Sequence, residues 1–258
     1  MKVSAIKTPT LYAGDNLLGI IKTSVDTIPE KSVLVVTSKV VALWENAVVD
    51  ALRRKENKSA LVKAECERYT DPTSSQYELA LTIRDGVIGV NAGIDESNVA
   101  EGYVLLPKDS YKSAEKIWTF IREEYGVKEV GVIITDSVSM PLKWGVLGRC
   151  IGHCGFDAVK SRIGEKDLFG REMQMCTVAV AEALASAAVF EMGEVDESTP
   201  LALITDIPHI RFKSVAPTQE EIASIFIEPE DDVFAPLLTK APWKQGERQA
   251  RDANKETH

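Results

Sequence analysis

The sequence predicts a mixed α/β (α+β) fold, with mixed sheets packed against helices, and three observations predict it. Runs such as "SVLVVT" and "VGVIIT" have the length and β-branched composition of buried strands. Segments such as "SAEKIWTFIREEYG" repeat apolar residues at helical spacing. The two kinds of segment follow one another without a clean β-α-β rhythm, which argues against a doubly wound sheet. Neither G-x-x-x-x-G-K-[ST] nor a G-x-G-x-x-G after a strand occurs, so classical P-loop and Rossmann folds are not expected.

Along the chain, "SVLVVTSKVVAL" (Ser32 to Leu43) reads as a buried strand running into a polar turn at "TSK". "LALTIRDGVIGVNAG" alternates and carries Asp85-Gly86, the dipeptide favoured in two-residue hairpin turns. In "SAEKIWTFIREEYG", Ala114, Ile117, Trp118, Phe120 and Ile121 line a helix that stops at Gly126. "KEVGVIITDS" is a strand ending at Asp136 and Ser137. A long helix is expected from about Met173 to Met192, and "TPLALITDIP" returns as a strand. One domain is expected over residues 1–242, with room for two subdomains. Residues 243–258 lack a hydrophobic period and read as a flexible polar tail.

Of the 258 residues, 45% are hydrophobic and 27% charged, as in ordinary soluble globular proteins. Lys and Arg number 30 against 39 Asp and Glu, a formal charge of −9 that argues against a nucleic-acid partner. The amino terminus lacks the apolar core of a signal peptide. The most apolar later stretch, "TVAVAEALASAAVFEMG", is interrupted by Glu182 and Glu191 and is too short to read as a membrane span. A cytoplasmic protein without a membrane partner is therefore expected. Cys66, Cys150, Cys154 and Cys176 suit reduced thiols. The cluster Cys150, His153 and Cys154 raises a zinc question, but no second Cys pair supplies four ligands, and buried thiols are the default reading.

The histidines are His153, His209 and His258, and no serine lies in a G-x-S-x-G elbow, so a nucleophilic triad is not expected. What remains is carboxylates at the ends of apolar segments: Asp95 after "GVIGVNAGI", Asp136 after "VGVIIT" and Glu194 after "FEMG". Magnesium and manganese take such hard oxygen ligands, with water and substrate phosphate completing the shell. Each carboxylate alone equally fits a helix cap or a turn. Composition and spacing leave both readings open.

The ordered segments "VTSKVV", "VNAGIDESNVAEGYVLLPKDSYKSAEKI", "VGVIITDS", "GVLGRCIGHCGF", "EKDLFGRE" and "VAEALASAAVFEMGE" resemble the coenzyme F420-0:L-glutamate ligase family over about residues 1 to 210. The resemblance implies that family's mixed α/β fold, a homodimer, and use of GTP with two magnesium or manganese ions. Carried over by position, Asp95 and Asp136 are similar to ligands of the divalent metals, with Ser137 and Glu194 at the second ion. Nucleotide contacts are implied for Thr8, Pro9, Thr10 and Leu11, for Ser38 and Lys39, and for Asn98. They are implied as well for the segment Met192, Gly193, Glu194, Val195, Asp196, Glu197, Ser198 and Thr199. Lys39, Asp95 and Asp136 are the implied catalytic residues, Lys39 holding phosphate charge.

The chain also departs from that pattern. Leu43 stands where the family carries a second lysine, and Ser139, Met140 and Lys143 stand where deazaflavin ligases carry a G-R-x-x-R-x-G run. Loss of guanidinium groups removes forked donors suited to phosphate or carboxylate. Met140 and Lys143 are thus the expected acceptor pocket. "PLKWG", "DLFGRE" and "FAPLL" resemble a branch of the family associated with folates. A folate acceptor is therefore expected, with the deazaflavin coenzyme as the alternative and a non-catalytic nucleotide-binding regulator as a further one. The implied reaction transfers the γ-phosphate of GTP or ATP to the acceptor carboxylate, and the glutamate amine then displaces phosphate from the acyl phosphate.

Overall fold

The structure is a computed structural model of the chain and describes residues 1–49, 58–97 and 102–249. In chain order, β1 (Lys2–Ile6), α1 (Leu17–Ser24), β2 (Ser32–Thr37) and α2 (Ser38–Trp44) come first. They are followed by β3 (Val48–Val49), α3 (Lys58–Ala64), β4 (Arg68–Tyr69), β5 (Leu81–Arg84), β6 (Val87–Val90) and β7 (Tyr103–Val104). Next come α4 (Ser110–Tyr125), β8 (Val130–Ser139), β9 (Val146–Cys154), β10 (Val159–Ser161), β11 (Thr177–Ala179) and α5 (Val180–Met192). Last are β12 (Leu201–Thr205), α6 (Gln219–Ala223), α7 (Ala235–Leu238) and β13 (Lys244–Gln245). The chain divides into two compact units. The first takes Met1–Trp44 and Pro107–Ala216, the second Glu45–Leu106 and the chain from Pro217 onward.

The first unit is built on a five-stranded sheet of order β1-β12-β2-β8-β9. β2 and β8 are parallel, running in register from Ser32↔Val130 to Thr37↔Thr135, and the other pairs are antiparallel. Such a mixed sheet is the α/β class that the unrhythmic sequence predicts. The central strands are covered, so Val33 to Val36 and Val132 to Ile134 are fully buried without polar alternation. α4 packs on β8 and β9 through Ala114, Ile117, Trp118 and Ile121. Asp109 caps its first turn by accepting the Lys112 N–H, and Gly126 ends it in the left-handed region at φ 66°. α5 lies against β9 so closely that a Cβ on Gly148 would fall 2.5 Å from the Ala185 carbonyl oxygen. Only glycine permits that approach.

Two expected boundaries shift. α2 starts at Ser38 directly after β2, where a polar turn was expected, because the apolar residues Val40 to Leu43 are buried as a helix. α5 starts at Val180 rather than near Met173, because Thr177 to Ala179 pair with β10 as a strand.

In the second unit, β13, β4, β5 and β6 form an antiparallel sheet in that order. Asp85 and Gly86 turn the β5–β6 hairpin with φ of 52° and 76°, as the dipeptide predicts. Val62, Cys66, Ala80, Ala92, Ile94 and Tyr103 make its core.

The segment from Trp243, expected to be a loose tail, is structured as far as it is described. Lys244 and Gln245 pair with Tyr69 and Arg68, and Gly246 donates its N–H to the Glu67 carbonyl at 2.8 Å. Arg248 reaches Asp85 at 3.0 Å, Glu67 at 3.7 Å and Glu65 at 3.9 Å, beside Arg84, which pairs with Glu65 at 2.9 Å. Polar composition conceals this docking, because backbone pairing and ion pairs need no hydrophobic period.

Candidate functional site

The carboxyl ends of the parallel pair β2 and β8 lie side by side, and open α/β sheets favour ligands at such ends. Past Thr37 the chain enters α2 with Ser38 and Lys39 on its first turn. Past Thr135, β8 continues with Asp136 and Ser137. The Ser38 hydroxyl donates to Asp136 Oδ1 at 3.3 Å. From β9, Arg149 sits opposite Asp136 and brings Nη2 to 3.5 Å from Oδ2. Burial pushes the Asp136 carboxyl above its ordinary range, opposed chiefly by the Arg149 charge.

Ser137 Oγ donates to the Glu194 carboxylate, 2.9 and 3.1 Å from its two oxygens. Glu194 follows α5 by way of Gly193, whose φ of 80° and lack of a side chain make room for the Glu197 carboxylate. A Cβ at Gly193 would lie 2.2 Å from Glu197 Cδ. The Glu197 carboxylate accepts the Val195 N–H at 2.8 Å, and the backbone amides around it hold it below the usual carboxylate range.

This loop is tied to the strand ends. Thr199 donates its hydroxyl to the Met192 carbonyl, Thr8 donates its N–H to the Ser198 carbonyl at 3.0 Å, and Thr37 donates to that of Pro200 at 3.0 Å. Among the residues named from sequence, the first unit thus gathers Thr8, Ser38, Asp136, Ser137 and Met192 to Thr199. Pro9 and Thr10 are exposed and Leu11 is buried. Lys39 is half-buried next to Ser38.

Asp95 belongs to the second unit, where it exchanges both backbone hydrogen bonds with Val104. Its carboxylate accepts the Ser97 N–H at 2.8 Å and the Ser97 hydroxyl at 3.1 Å, a turn-forming role that sequence alone also allowed. Asn98 lies outside the described residues. Met140 and Lys143 lie in the turn between β8 and β9, beside Leu142 and Trp144, whose side chains are almost wholly exposed. Leu43 is buried on α2.

Arg149 and Glu182 are neighbours of this site that sequence reasoning did not single out. Glu182, on the first turn of α5, accepts the Cys150 N–H at 2.9 Å. Both were hidden by distance along the chain; counting the β8–β9 register back from its turn would have placed Arg149 opposite Asp136.

Buried sulfur chemistry is not part of the site. Burial pushes the Cys150 thiol up and that of Cys154 up to about 12, so both stay protonated. His153 is buried between the rings of Tyr111 and Phe156, 5.4 Å from each. Among the described residues no group of three or more His, Cys, Asp or Glu is placed to hold a metal ion. Magnesium is commonly held by one or two carboxylates, with water and substrate phosphate completing its shell. Asp136, Ser137 and Glu194 offer hard oxygen atoms of that kind.

With this geometry the chain compares directly with known proteins. It belongs to the F420-0:Gamma-glutamyl ligase family, whose profile matches residues 5–206. It is 36% identical over 245 residues to the Coenzyme F420:L-glutamate ligase of Archaeoglobus fulgidus, covering 90% of this chain and 95% of that protein. It is 48% identical over 121 residues to the protein of the same name from Methanocaldococcus jannaschii, 47% of this chain and 48% of that one. With that of Methanopyrus kandleri it shares 40% identity over 155 residues, 59% and 60% of the two chains. The chain thus spans about half to three-fifths of the length of these last two relatives.

Proposed function

We propose that this protein is a coenzyme F420-0:L-glutamate ligase, which joins the amine of L-glutamate to a carboxylate on the deazaflavin coenzyme. The observation that carries the acceptor is the 36% identity with the Archaeoglobus fulgidus enzyme across nine-tenths of the chain, since that relative is named for this reaction. The folate acceptor expected from sequence rested on Met140, Lys143 and short motifs. It yields to the deazaflavin because the relatives are named for that acceptor.

In this reading a nucleoside triphosphate, GTP or ATP, activates the acceptor. Its γ-phosphate passes to the acceptor carboxylate, and the glutamate amine attacks the resulting acyl carbon. The amide bond forms as inorganic phosphate leaves. Two magnesium or manganese ions would supply neutralisation of phosphate charge when bound, with Asp136, Ser137 and Glu194 of the first unit among the residues that would hold them. The residues of the chain do the remaining work. Ser38 and the Arg149 charge keep the Asp136 carboxylate at the strand end, and the Ser137 hydroxyl orients Glu194. Lys39 on the first turn of α2 faces phosphate charge, and the backbone of Met192 to Thr199 with Thr8 to Leu11 lines the nucleotide. Lys143 and Met140 meet the acceptor.

A homodimer belongs to the same reading. The β10–β11 hairpin carries Leu168 and Phe169 at 99% and 83% exposure, an apolar tip that a second copy would cover. Sedimentation at micromolar concentration tests this, and a monomer at all concentrations contradicts it. The ligase reading itself is tested by glutamate-dependent, acceptor-dependent release of phosphate from GTP or ATP. Nucleotide binding without such release would favour a non-catalytic regulator instead.

A further inference from the structure

The β8–β9 hairpin runs on past the candidate site. Beyond Asp136↔Arg149 the register continues through Ser137↔Gly148, Val138↔Leu147 and Ser139↔Val146, and a turn from Met140 to Gly145 closes it. That turn begins about 10 Å from Asp136 along an extended strand. Its backbone course is set by Leu142 at φ 61° and Gly145 at φ 100°, and by the Lys143 N–H, which donates to the Met140 carbonyl at 3.4 Å. A bulky residue in the left-handed region is uncommon and marks a turn specified by more than its local preference.

The turn leaves its apolar side chains in the open. Trp144 is 95% exposed, Leu142 is fully exposed, and Met140 and Val146 are exposed as well. Single exposed apolar residues are ordinary, but a run of them at one hairpin tip forms a patch that commonly meets a ligand or a partner. Charge narrows the choice. From Ser139 to Val146 the chain has Lys143 and no acidic residue, against a formal charge of −9 for the whole. An aromatic face beside a cation suits a planar ring that carries a negative group. The deazaflavin acceptor is of that kind, a planar conjugated ring joined through an anionic phosphodiester to the carboxylate that is extended. Its carboxylate is needed at Asp136, Ser137 and Glu194, and the hairpin leads in one register from that end to the tip.

We propose that Trp144 is a specificity-determining binding residue, the stacking face for the acceptor's deazaflavin ring, with Met140 and Leu142 extending the apolar surface and Lys143 meeting the phosphodiester. This rests on the ligase reading above and deepens it. The ring is held at the hairpin tip while the carboxylate lies at the strand end, so the acceptor spans the outer part of β8 and β9. The expected nucleotide residues Thr8, Ser38, Lys39 and Met192 to Thr199 belong instead to the strand ends and the loop after α5. A change at the tip therefore separates acceptor binding from nucleotide binding.

The test is binding of the deazaflavin coenzyme precursor to the purified full chain, read as the anisotropy of its ring fluorescence. Magnesium and a non-hydrolysable nucleotide are present and L-glutamate is omitted. Trp144→Leu is expected to weaken binding on the order of tenfold, and Trp144→Phe, which keeps an aromatic face, to stay within about threefold of the parent. Lys143→Met is expected to weaken it several-fold at low salt and to lose most of that effect at high salt. Nucleotide affinity, measured separately, stays at the parental value in each variant. Parental acceptor affinity in Trp144→Leu overturns the proposal, and so does equal weakening of acceptor and nucleotide. Parental affinity together with a loss of sedimenting mass would assign the tip to a second copy of the chain instead. Turnover separates the two levels. If the parent glutamylates the deazaflavin and Trp144→Leu keeps the parental KM for it, the stacking face alone fails. If the parent neither binds nor glutamylates the deazaflavin, the ligase reading fails and the stacking face with it.

Discussion

The Ser137 hydroxyl lies 2.9 Å from one oxygen of the Glu194 carboxylate and 3.1 Å from the other, joining β8 to the loop that follows α5. Glu194→Gln keeps the shape and accepts the same hydrogen bond through its amide oxygen, but removes the charge. It is expected to lower turnover by at least about tenfold and to raise the magnesium concentration needed for half-maximal rate, as losses in a metal shell commonly do. Thermal stability should not change. A variant with parental turnover and magnesium dependence would reduce the pair to a structural link.

Asp136 gives a prediction whose sign depends on pH. Burial raises its carboxyl above the ordinary range, so ionisation costs the fold stability. The cost is absent below the ordinary aspartate value of about 4 and grows as pH rises through the raised value. Asp136→Asn should therefore abolish turnover yet be at least as stable as the parent at neutral pH, and lose that advantage as pH falls toward about 4. Urea unfolding across that range measures it. A less stable variant at neutral pH would mean that the Arg149 charge outweighs burial.

Asp95 separates turn from ligand by two substitutions. Asp95→Asn retains an acceptor oxygen for the Ser97 N–H, whereas Asp95→Ala removes it. The ligand role predicts that both abolish ligation while only Asp95→Ala lowers stability, by about 1 kcal/mol. Full activity in Asp95→Asn, compared by initial rates at saturating magnesium, would leave the turn as its sole task.

Arg248 predicts stability without catalysis. Arg248→Met removes a cation shared by Glu65, Glu67 and Asp85 and is expected to destabilise by about 2 kcal/mol, less than a fully buried pair because Arg248 is partly exposed. The denaturation midpoint in urea should fall while the magnesium dependence of turnover stays. An unchanged midpoint would show that the backbone pairing of β13 suffices to hold the segment.

What the sequence made legible was local or repeated. β2 and the end of β8 announced themselves because a covered strand needs an unbroken apolar run, and Gly126 marked the end of α4 by its left-handed conformation. Asp136, Ser137 and Glu194 were singled out as candidate ligands only through ordered resemblance, since a carboxylate at a strand end looks the same whether it caps, turns or binds. Arg149 was not legible, because its relation to Asp136 runs across a ladder with a register shift at Ile134 and Thr135; Glu182 was not, because α5 starts about seven residues beyond its expected start. The docked segment from Lys244 to Arg248 was hidden for a related reason. Its partners, Tyr69, Glu67 and Asp85, lie more than a hundred and fifty residues earlier in the chain.

The acceptor is the centre of the account, and a mass-spectrometric ligase assay tests it most directly. Purified protein receives L-glutamate, magnesium or manganese, and GTP or ATP, with the deazaflavin coenzyme precursor in one set of reactions and a reduced folate in the other. The account predicts a gain of one or more glutamyl masses on the deazaflavin, dependent on nucleotide, and none on the folate. A gain on the folate alone, or on neither acceptor while nucleotide still binds, would contradict it.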